Sequence, residues 1–368
     1  MCRTEARLRV AIAGGGTGGH VYIGIAIARE LQSSDPGHRV LFIGTRKGLE
    51  STLVPREGFE LAFIESAGLK GMSPAKLLRN ALLVPGGILG ARRLLARFRP
   101  DAAVGVGGYS SGPALLAAWT LGVPSMIVEP NAWPGLANRW LAPFARRAAV
   151  ALPEAARRFG RKAVVTGIPV RREFALIGPV APEAGRLSLL VYGGSQGSHA
   201  LNTIVCDALP DLKALCPRLR IVHQTGGREF AAVRAAYDRN GLAAEVRDFL
   251  PAIYQELAGA DLVLARSGAG TVAELSVAGR GSILVPFPHA ADDHQTRNAR
   301  ALERAGAAKV ISEGEWVQGR LAGELRRLME SPDDLRRMGE AARRVGKPDA
   351  AARITDLVSE IAGHRRSA

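Results

Sequence analysis

Short apolar runs, each followed by a glycine-rich turn and then by a stretch with helical periodicity, recur along the chain. The runs at 9–13, 101–106, 187–192 and 261–265 are typical of buried strands. Strands that alternate with helices in this way predict βαβ units with a parallel sheet. Because the glycine turns fall into two matching pairs, one in each half, we expect an α/β protein. Its two Rossmann-like lobes would face each other across a cleft with their loop edges.

The same pattern sets the expected domain boundaries. We predict a first lobe over residues 1–168, a linker over 169–186 and a second lobe over 187–348. The tail, residues 349–368, has apolar residues at the spacing of a packed helix, namely Ile354, Leu357, Val358 and Ile361. We expect this C-terminal helix to pack back on the first lobe.

The composition indicates a folded protein of the cytoplasm. The chain has 368 residues, which suits two domains better than one, and 47% of them are hydrophobic. Its three cysteines form no CxxC pair, which favours a reducing compartment. The charged residues among the first eight argue against a secretory signal. Glycines and prolines break the uncharged stretch 103–128, which argues against a membrane span.

The net charge of +15 is unevenly distributed. Every charged residue between positions 66 and 100 is basic, and large aliphatic residues are interleaved with them. The basic residues are Lys70, Lys76, Arg79, Arg92, Arg93, Arg97 and Arg99. This mixture favours an anionic membrane surface as partner, whereas nucleic-acid surfaces prefer aromatic stacking platforms. The alternative is an ordinary pair of helices with a basic solvent face.

The turn at 267–270 is the strongest candidate for a phosphate site. It joins a predicted strand to a helix predicted over 271–278, so free backbone N–H groups and the positive end of the helix dipole meet at one point. Glu274, one turn into that helix, would accept hydrogen bonds from ribose hydroxyls. Alternatively, Thr271 and Glu274 form a capping box and only stabilise the helix start.

The loop 286–298 lies beyond the same expected edge of the sheet, where open α/β sheets bind ligands. It contains His289, Asp292, Asp293, His294 and Gln295. The first four are residue types that bind metals. We nevertheless expect no metal, because they share a loop with Gln295 and no rigid spacing fixes them.

The first glycine turn, Gly14 to His20, has the form GxGxxG of a dinucleotide fingerprint. An NAD site needs an acidic residue after the second strand, but Arg46 and Lys47 stand there, so only an NADP site stays open. His20 lies at a helix start, where the dipole disfavours the imidazolium form, and would serve as a neutral base. The alternative is that it is only a polar residue that begins the helix. Asn131 similarly suits a sugar contact or a helix cap.

Six motifs together resemble the MurG family, which transfers N-acetylglucosamine (GlcNAc) from UDP-GlcNAc to lipid I to give lipid II in peptidoglycan synthesis. They are GGGTGGH (14–20), GVGGYSSGP (105–113), EPNAWPGLANRWL (129–141), GIPVR (167–171), GGSQG (193–197) and ARSGAGTVAE with ADDHQTRNA (265–299). The resemblance implies a GT-B fold and an inverting transfer to the 4-hydroxyl of N-acetylmuramic acid. It implies no metal or other cofactor, a peripheral position at the cytoplasmic face of the membrane, and contacts with other cell-wall synthesis proteins.

The resemblance also assigns roles residue by residue. His20 would be the catalytic base, and Gly107, Gly108 and Tyr109 would bind the acceptor. In the donor site, Leu250 and Phe249 would contact uracil and Glu274 the ribose, while Gln295 and Asn131 would bind GlcNAc. Ser195, Arg171 and the turn of Ala269, Gly270 and Thr271 would bind the diphosphate. The remaining predicted donor contacts are Thr17, Gly18, Gly19, Gln196 and Arg266.

The chain departs from the family pattern at Val128, Pro130 and Ile168, beside Asn131 and Arg171. These departures concern neighbouring contacts more than the activity. Two other functions stay open at this stage. One is a different lipid-directed GT-B transferase, such as one acting on diacylglycerol. The other, suggested by charge alone, is an RNA-binding protein, although we expect no nucleic-acid partner.

Overall fold

The computed structural model describes residues 7–15, 18–66, 74–216 and 218–366, with side chains throughout except at 74–83 and 364–366. The chain divides into two compact units, one formed by residues 1–169 with 349–368 and the other by residues 170–348. The predicted linker 169–186 falls in the second unit except for its first residue, and the predicted C-terminal helix falls in the first.

The first unit contains a parallel sheet with the order β3-β2-β1-β4-β5-β6-β7, seven strands in the described residues. The strands are β1 Arg9–Gly14, β2 Arg39–Gly44, β3 Glu60–Phe63, β4 Ala102–Gly107, β5 Ser125–Glu129, β6 Arg147–Val150 and β7 Ala163–Val165. The helices are α1 Gly18–Ser34, α2 Glu50–Arg56, α3 Pro74–Phe98, α4 Ser111–Thr120, α5 Leu136–Leu141, α6 Pro153–Phe159 and α15 Ala350–Arg366.

Central strands of this sheet are buried on both faces. Every residue of β4 and of β5 is buried, which explains their near-continuous apolar sequences. The C-terminal helix α15 packs against α1 and the sheet, and it buries Ile354, Val358 and Ile361. The apolar spacing read from the tail therefore does mark the packed face of a helix.

The second unit repeats the architecture with the order β10-β9-β8-β11-β12-β13, six parallel strands in the part of the chain that is described. The strands are β8 Leu187–Tyr192, β9 Leu219–Gln224, β10 Glu245–Arg247, β11 Leu262–Ala265, β12 Gly281–Leu284 and β13 Ala308–Val310. The helices are α7 Arg172–Ala175, α8 His199–Leu212, α9 Phe230–Asn240, α10 Ile253–Ala258, α11 Ala269–Ala278, α12 His294–Arg304, α13 Arg320–Glu330 and α14 Pro332–Val345.

The predicted fold class, α/β with two Rossmann-like parallel sheets, is confirmed. The helix pair that was one expectation for residues 66–100 is wrong, because the single helix α3 runs over Pro74–Phe98 with Pro85 inside it. None of the helices in the described ranges is long and apolar enough to cross a bilayer.

A buried arginine of the second unit joins the C-terminal ends of two helices. Arg280 is 2% exposed, and burial lowers the pKa of its guanidinium to about 10, so it remains a cation at neutral pH. It donates to the carbonyls of Leu257 and Ala258 at the end of α10 and of Ala278 and Gly279 at the end of α11. It also donates to the carbonyl of Gly178, between α7 and β8. Two helix C-termini, each with a partial negative charge, thus converge on one guanidinium.

We expect Arg280→Met to destabilise the protein by about 3 kcal/mol or more, because several buried carbonyls lose their donor at once. Calorimetric thermal unfolding measures the change. The matched control is Arg300→Met, which removes an exposed arginine paired with Glu303 on its own helix. That variant should unfold within about 0.5 kcal/mol of wild type. Equal stability of the two variants would contradict the proposed role of Arg280.

Candidate active site

Predicted donor residues follow the carboxyl ends of four strands in the second unit, β8, β10, β11 and β12. Because β10, β9, β8, β11 and β12 are parallel neighbours, the loops that follow them lie along one edge of the sheet. Ser195 and Gln196 follow β8, and Phe249 and Leu250 follow β10. The residues after β11 and β12 are Arg266, Ala269, Gly270, Thr271, Glu274 and Gln295. The structure therefore brings these predicted residues to one edge.

Helix α11 begins two residues earlier than predicted. Its N-cap is Gly268, which has an extended backbone and makes no side-chain capping bond, and Thr271 is already the third residue of the helix. A capping box requires its threonine at the N-cap itself. The capping-box interpretation of Thr271 and Glu274 is therefore wrong. The first N–H groups of this ten-residue helix remain suited to an anion at the sheet edge.

Glu274 is partly buried one turn into α11. Burial raises the pKa of its carboxyl to about 7, and the nearby Arg171 opposes that rise. Arg171 is held in place by the carbonyl of Pro251, to which its Nη1 donates at 3.3 Å, and by the ring of Tyr254, 5.3 Å from its guanidinium carbon. A carboxylate and a guanidinium thus adjoin the start of α11, which suits ribose hydroxyls and a diphosphate respectively.

Arg266 and Gln295 make bonds that fix the loops around the site. Arg266 donates from Nε to Ser198 Oγ at 2.9 Å and from Nη1 to the carbonyl of Val285 at 3.1 Å, and it pairs with Glu313 at 2.6 Å. Gln295 Oε1 accepts from the backbone N–H of Phe287 at 3.0 Å. Both side chains therefore hold the loops after β11 and β12, and their predicted donor contacts remain predictions.

The segment after β10 suits a planar base. Phe249 is 51% exposed, its backbone N–H donates to Asp248 Oδ1 at 2.8 Å, and the neighbouring Leu250 side chain is buried. An exposed aromatic ring beside an anchored backbone can stack on a base while backbone groups contact the edge of the base. Ser195 and Gln196 are exposed on the loop after β8.

The loop after β12 does not assemble a metal site. In the described ranges, no group of three or more His, Cys, Asp or Glu side chains could hold a metal ion. His294 Nδ1 instead lies 2.7 Å from the carbonyl of Ala291. Asp292 and Asp293 both have left-handed backbones, with φ of 55° and 53°. The expectation that no metal is required stays a prediction, and the loop is a strained turn before α12.

The first unit has its own cluster at the ends of β1, β4 and β5, which are neighbours in the sheet. Gly18 and Gly19 open α1, and His20 is its third residue. Thr17 lies outside the described residues. Gly107, Gly108 and Tyr109 stand at the end of β4, and Asn131 follows β5.

The predicted base lies against the predicted acceptor loop. Gly107 has a φ of 95°, and a Cβ at this position would lie 2.9 Å from both Cδ2 and Nε2 of the His20 ring. Only glycine therefore lets the imidazole approach the backbone here. The backbone N–H of Gly15 donates to the carbonyl of Gly107 at 3.3 Å, which joins the two turns. Tyr109 is 54% exposed beside them.

Asn131 is positioned by a buried carboxylate that the sequence analysis missed. Glu129 Oε1 accepts from the backbone N–H and the Nδ2 of Asn131, at 3.0 and 3.2 Å. Its Oε2 accepts from the N–H of Gly135 and from Asn138 Nδ2, at 2.9 and 2.8 Å. Burial raises the pKa of Glu129, and these bonds lower it in part. The N-cap of α5 is Gly135, so the interpretation of Asn131 as a helix cap is wrong.

A second missed carboxylate lies beneath the first glycine turn. Glu50 is 1% exposed and accepts from both the backbone N–H and Oγ1 of Thr45 at 2.9 Å. A Cβ on Gly15 or on Gly48 would overlap this carboxylate, so glycine at both positions leaves room for it. The sequence signal that could have identified Glu50 is an acidic residue two positions after Gly48.

The departures from the family pattern, Val128, Pro130 and Ile168, are all buried, which places them in the interior.

Comparisons with known proteins agree over both units. Residues 10–150 match the N-terminal domain of glycosyltransferase family 28, and residues 188–354 match its C-terminal domain. A protein of Anaeromyxobacter sp. (strain Fw109-5) is 47% identical over 97% of this chain and 94% of its own length. It is named UDP-N-acetylglucosamine–N-acetylmuramyl-(pentapeptide) pyrophosphoryl-undecaprenol N-acetylglucosamine transferase. A protein of Pelobacter propionicus with the same name is 44% identical over 95% of this chain and 99% of its own.

A crystal structure of Acinetobacter baumannii MurG is similar to the whole chain. It matches with a TM-score of 0.80 and 31% identity, covering 96% of this chain and 99% of its own. The chain belongs to the MurG family. The resemblance found in the motifs is confirmed, and so is the GT-B fold that membership in the MurG family implied.

Proposed function

We propose that the protein transfers GlcNAc from UDP-GlcNAc to the 4-hydroxyl of N-acetylmuramic acid on lipid I, which gives lipid II. The reaction is an inverting displacement without a metal, in which His20 takes the proton of the acceptor hydroxyl. The start of α11 and Arg171 stabilise the UDP leaving group, since backbone N–H groups, the helix dipole and a guanidinium all favour the diphosphate charge.

The observation that carries this proposal is the arrangement at the start of α11. Glu274 stands one turn into a helix with uncapped N–H groups, beside Arg171, and the exposed Phe249 follows another strand at the same sheet edge. These features provide an acceptor for ribose, a partner for diphosphate and a platform for a base. Relatives whose names specify UDP-GlcNAc transfer, at up to 47% identity, agree with it.

A radiolabel transfer assay with the purified protein tests the proposal. UDP-GlcNAc and lipid I should give labelled lipid II with EDTA present, while UDP-glucose should not replace the donor. Product with diacylglycerol but not with lipid I would favour the other lipid-directed transferase. Binding of NADPH or RNA in place of UDP-GlcNAc at physiological salt would contradict the proposal altogether.

The proposal includes docking of the first unit on an anionic membrane surface, to which the acceptor's lipid is confined. Leu89, Arg93 and Arg97 lie at i, i+4 and i+8 on α3 and are all exposed, Leu89 by 53%. Ala91, Leu95 and Phe98, on the other side of the helix, are buried. Exposed cations and an exposed leucine on one face combine electrostatic attraction with shallow apolar burial.

Neighbouring residues widen this face. Arg92 donates to the carbonyl and to Oγ1 of Thr120, at 3.2 and 2.9 Å, and so fixes α3 at the end of α4. Trp119, the residue before Thr120, is 55% exposed and packs its ring on that of Phe144. An exposed tryptophan beside basic residues suits the interfacial region of a bilayer.

We expect Arg93→Glu/Arg97→Glu to lose binding to anionic vesicles in a sedimentation assay. Each basic residue near such a surface contributes about 1 kcal/mol, so the double reversal should weaken binding by a factor of ten or more at about 0.1 M salt. Leu89→Ser should instead reduce the part of the binding that survives high salt. Both variants should bind UDP-GlcNAc normally, because the predicted UDP contacts lie in the second unit.

The matched control is Arg326→Glu/Arg336→Glu, which changes the net charge equally at exposed positions of the second unit. It should sediment with anionic vesicles like wild type. If it loses binding as much as the α3 double variant, only the overall charge matters. In that case α3 is an ordinary basic solvent face.

A further inference from the structure

Gln224 occupies a central position at the donor edge of the second sheet. It is the last residue of β9 and pairs with Tyr192, the last residue of β8, on one side and with Arg247, the last residue of β10, on the other. Its side chain is buried, at 4% exposure. It therefore stands between the loop after β8, which contains Ser195, and the segment after β10.

The side-chain amide of Gln224 bonds to both of these segments. Its Oε1 accepts from the backbone N–H of Gly193 at 3.4 Å, and its Nε2 donates to the carbonyl of Asp248 at 3.1 Å. Gly193 begins the loop of Ser195 and Gln196, and Asp248 immediately precedes Phe249. One buried amide thus joins the predicted diphosphate loop to the predicted uracil segment through an acceptor and a donor at once.

The backbone around Gln224 supports the same connection. The N–H groups of Thr225 and Gly226 donate to the carbonyls of Arg247 and Asp248, at 2.9 and 3.1 Å. Gly226 and Gly197 have φ angles of 80° and 74°, and a Cβ at either would overlap the backbone of the other's turn. The two turns therefore pack backbone to backbone, and a small shift of one must move the other.

We propose that Gln224 is a positioning residue that sets the diphosphate loop and the uracil segment in register, so that UDP is recognised as one unit. This inference rests on the proposed function, because it takes Ser195 as a diphosphate contact and Phe249 as a uracil contact of the UDP-GlcNAc donor. Gln224 itself does not touch the substrate in this assignment. It acts through Gly193 and Asp248, and its effect is on donor binding rather than on the acceptor.

The first test measures UDP affinity by calorimetry for Gln224→Met, which keeps the length of the side chain and removes both bonds. We expect UDP to bind about tenfold more weakly, with donor KM raised and acceptor KM unchanged, because the partly buried bonds to Gly193 and Asp248 are lost and both segments relax. The matched control is Gln318→Leu, at an exposed position of the same unit. It should bind UDP like wild type.

The second test separates positioning from a general loss of structure. The effects of Ser195→Ala and Phe249→Ala on UDP affinity are measured singly and together, once in the wild-type protein and once in the Gln224→Met variant. In the wild-type background, we expect the UDP affinity of the double variant to differ at least about threefold from the value that the product of the two single effects predicts. In the Gln224→Met background the effects should multiply within about twofold, as for independent sites. The same deviation in both backgrounds would overturn the inference.

A third variant, Gln224→Glu, covers the case in which the methionine variant fails to fold. Its carboxylate can accept from Gly193 but cannot donate to Asp248, whereas its protonated form can do both. Relative to wild type at the same pH, UDP binding should therefore be weak at neutral pH and recover as the pH falls. A ratio of variant to wild-type UDP affinity that does not change with pH would overturn the inference.

The outcomes for the proposed function and for Gln224 can be told apart. If wild type fails to bind UDP, the proposed function itself is wrong. If wild type binds UDP tightly and the variants are unaffected, only the role of Gln224 is contradicted.

Discussion

Glu274→Gln should fold normally and bind UDP-GlcNAc at least tenfold more weakly than wild type. Glutamine keeps the shape of the side chain but replaces the charged acceptor for the ribose hydroxyls, and hydrogen bonds to a charged group contribute about 1.5–3 kcal/mol. The structure removes the competing explanation, because the N-cap position of α11 is Gly268 and Thr271 lies inside the helix. Isothermal calorimetry with UDP-GlcNAc measures the loss.

The pH dependence of this effect follows from the raised pKa of Glu274, about 7 in the free protein. Ribose hydroxyls donate to the ionised carboxylate, so wild-type affinity should rise with pH through about 7, while the glutamine variant should show no such rise. The free energy of unfolding changes with pH in the opposite direction. A carboxyl with a raised pKa stabilises the folded state below its unfolded pKa, and this contribution is lost as pH rises through the folded pKa. The free energy of unfolding of the variant should therefore rise by about 1–3 kcal/mol relative to that of wild type between pH 4.5 and 7.5.

The control for Glu274 is Glu340→Gln, which makes the same change at an exposed position of α14, the helix packed on α11. It should leave donor affinity and its pH dependence unchanged. If Glu274→Gln lowers the melting temperature at every pH and binds UDP-GlcNAc like wild type, Glu274 is structural. The ribose contact would then have to come from another residue at the same sheet edge.

The sheets could be predicted from sequence because their central strands are buried on both faces. A strand such as Leu187–Tyr192 is a continuous apolar run before a glycine turn, and its predicted bounds match the structure. The short strands β3, β6 and β13 were missed. They have three or four residues each, and two of them end their sheets, so their sequences carry little periodicity. Their pairing comes from the neighbouring strand.

Candidate residues could be chosen from the sequence where a residue type and a turn coincide, as at Glu274 and His20, and their roles stay predictions. The site was not predictable where a side chain acts on backbone far along the chain. Gln224 bonds to residues 31 positions before it and 24 after it, and no local pattern shows such a connection. Glu129 is a similar case, since it was visible at the end of a strand but its four bonds depend on how the following loop folds back.

His20→Ala should lower turnover by about 10²–10⁴ with donor affinity unchanged, because it removes the base that takes the proton of the acceptor hydroxyl. The ring lies against Gly107, at the start of the predicted acceptor contacts, and α1 begins just before it. Activity should survive EDTA, since the diphosphate charge is balanced by protein groups in this mechanism.

Gly107→Ala provides an independent test of the same base, because it displaces the ring without removing it. A Cβ would lie 2.9 Å from two atoms of the imidazole, at a φ of 95° that also strains alanine. We expect a fall in kcat with the donor affinity of wild type. The control His199→Ala removes an exposed histidine that begins α8, and it should retain full turnover. Full activity of His20→Ala, or loss of wild-type activity in EDTA, would refute the mechanism. A fall in turnover shared by all three variants would show only that histidines at helix starts, or their neighbours, support the fold.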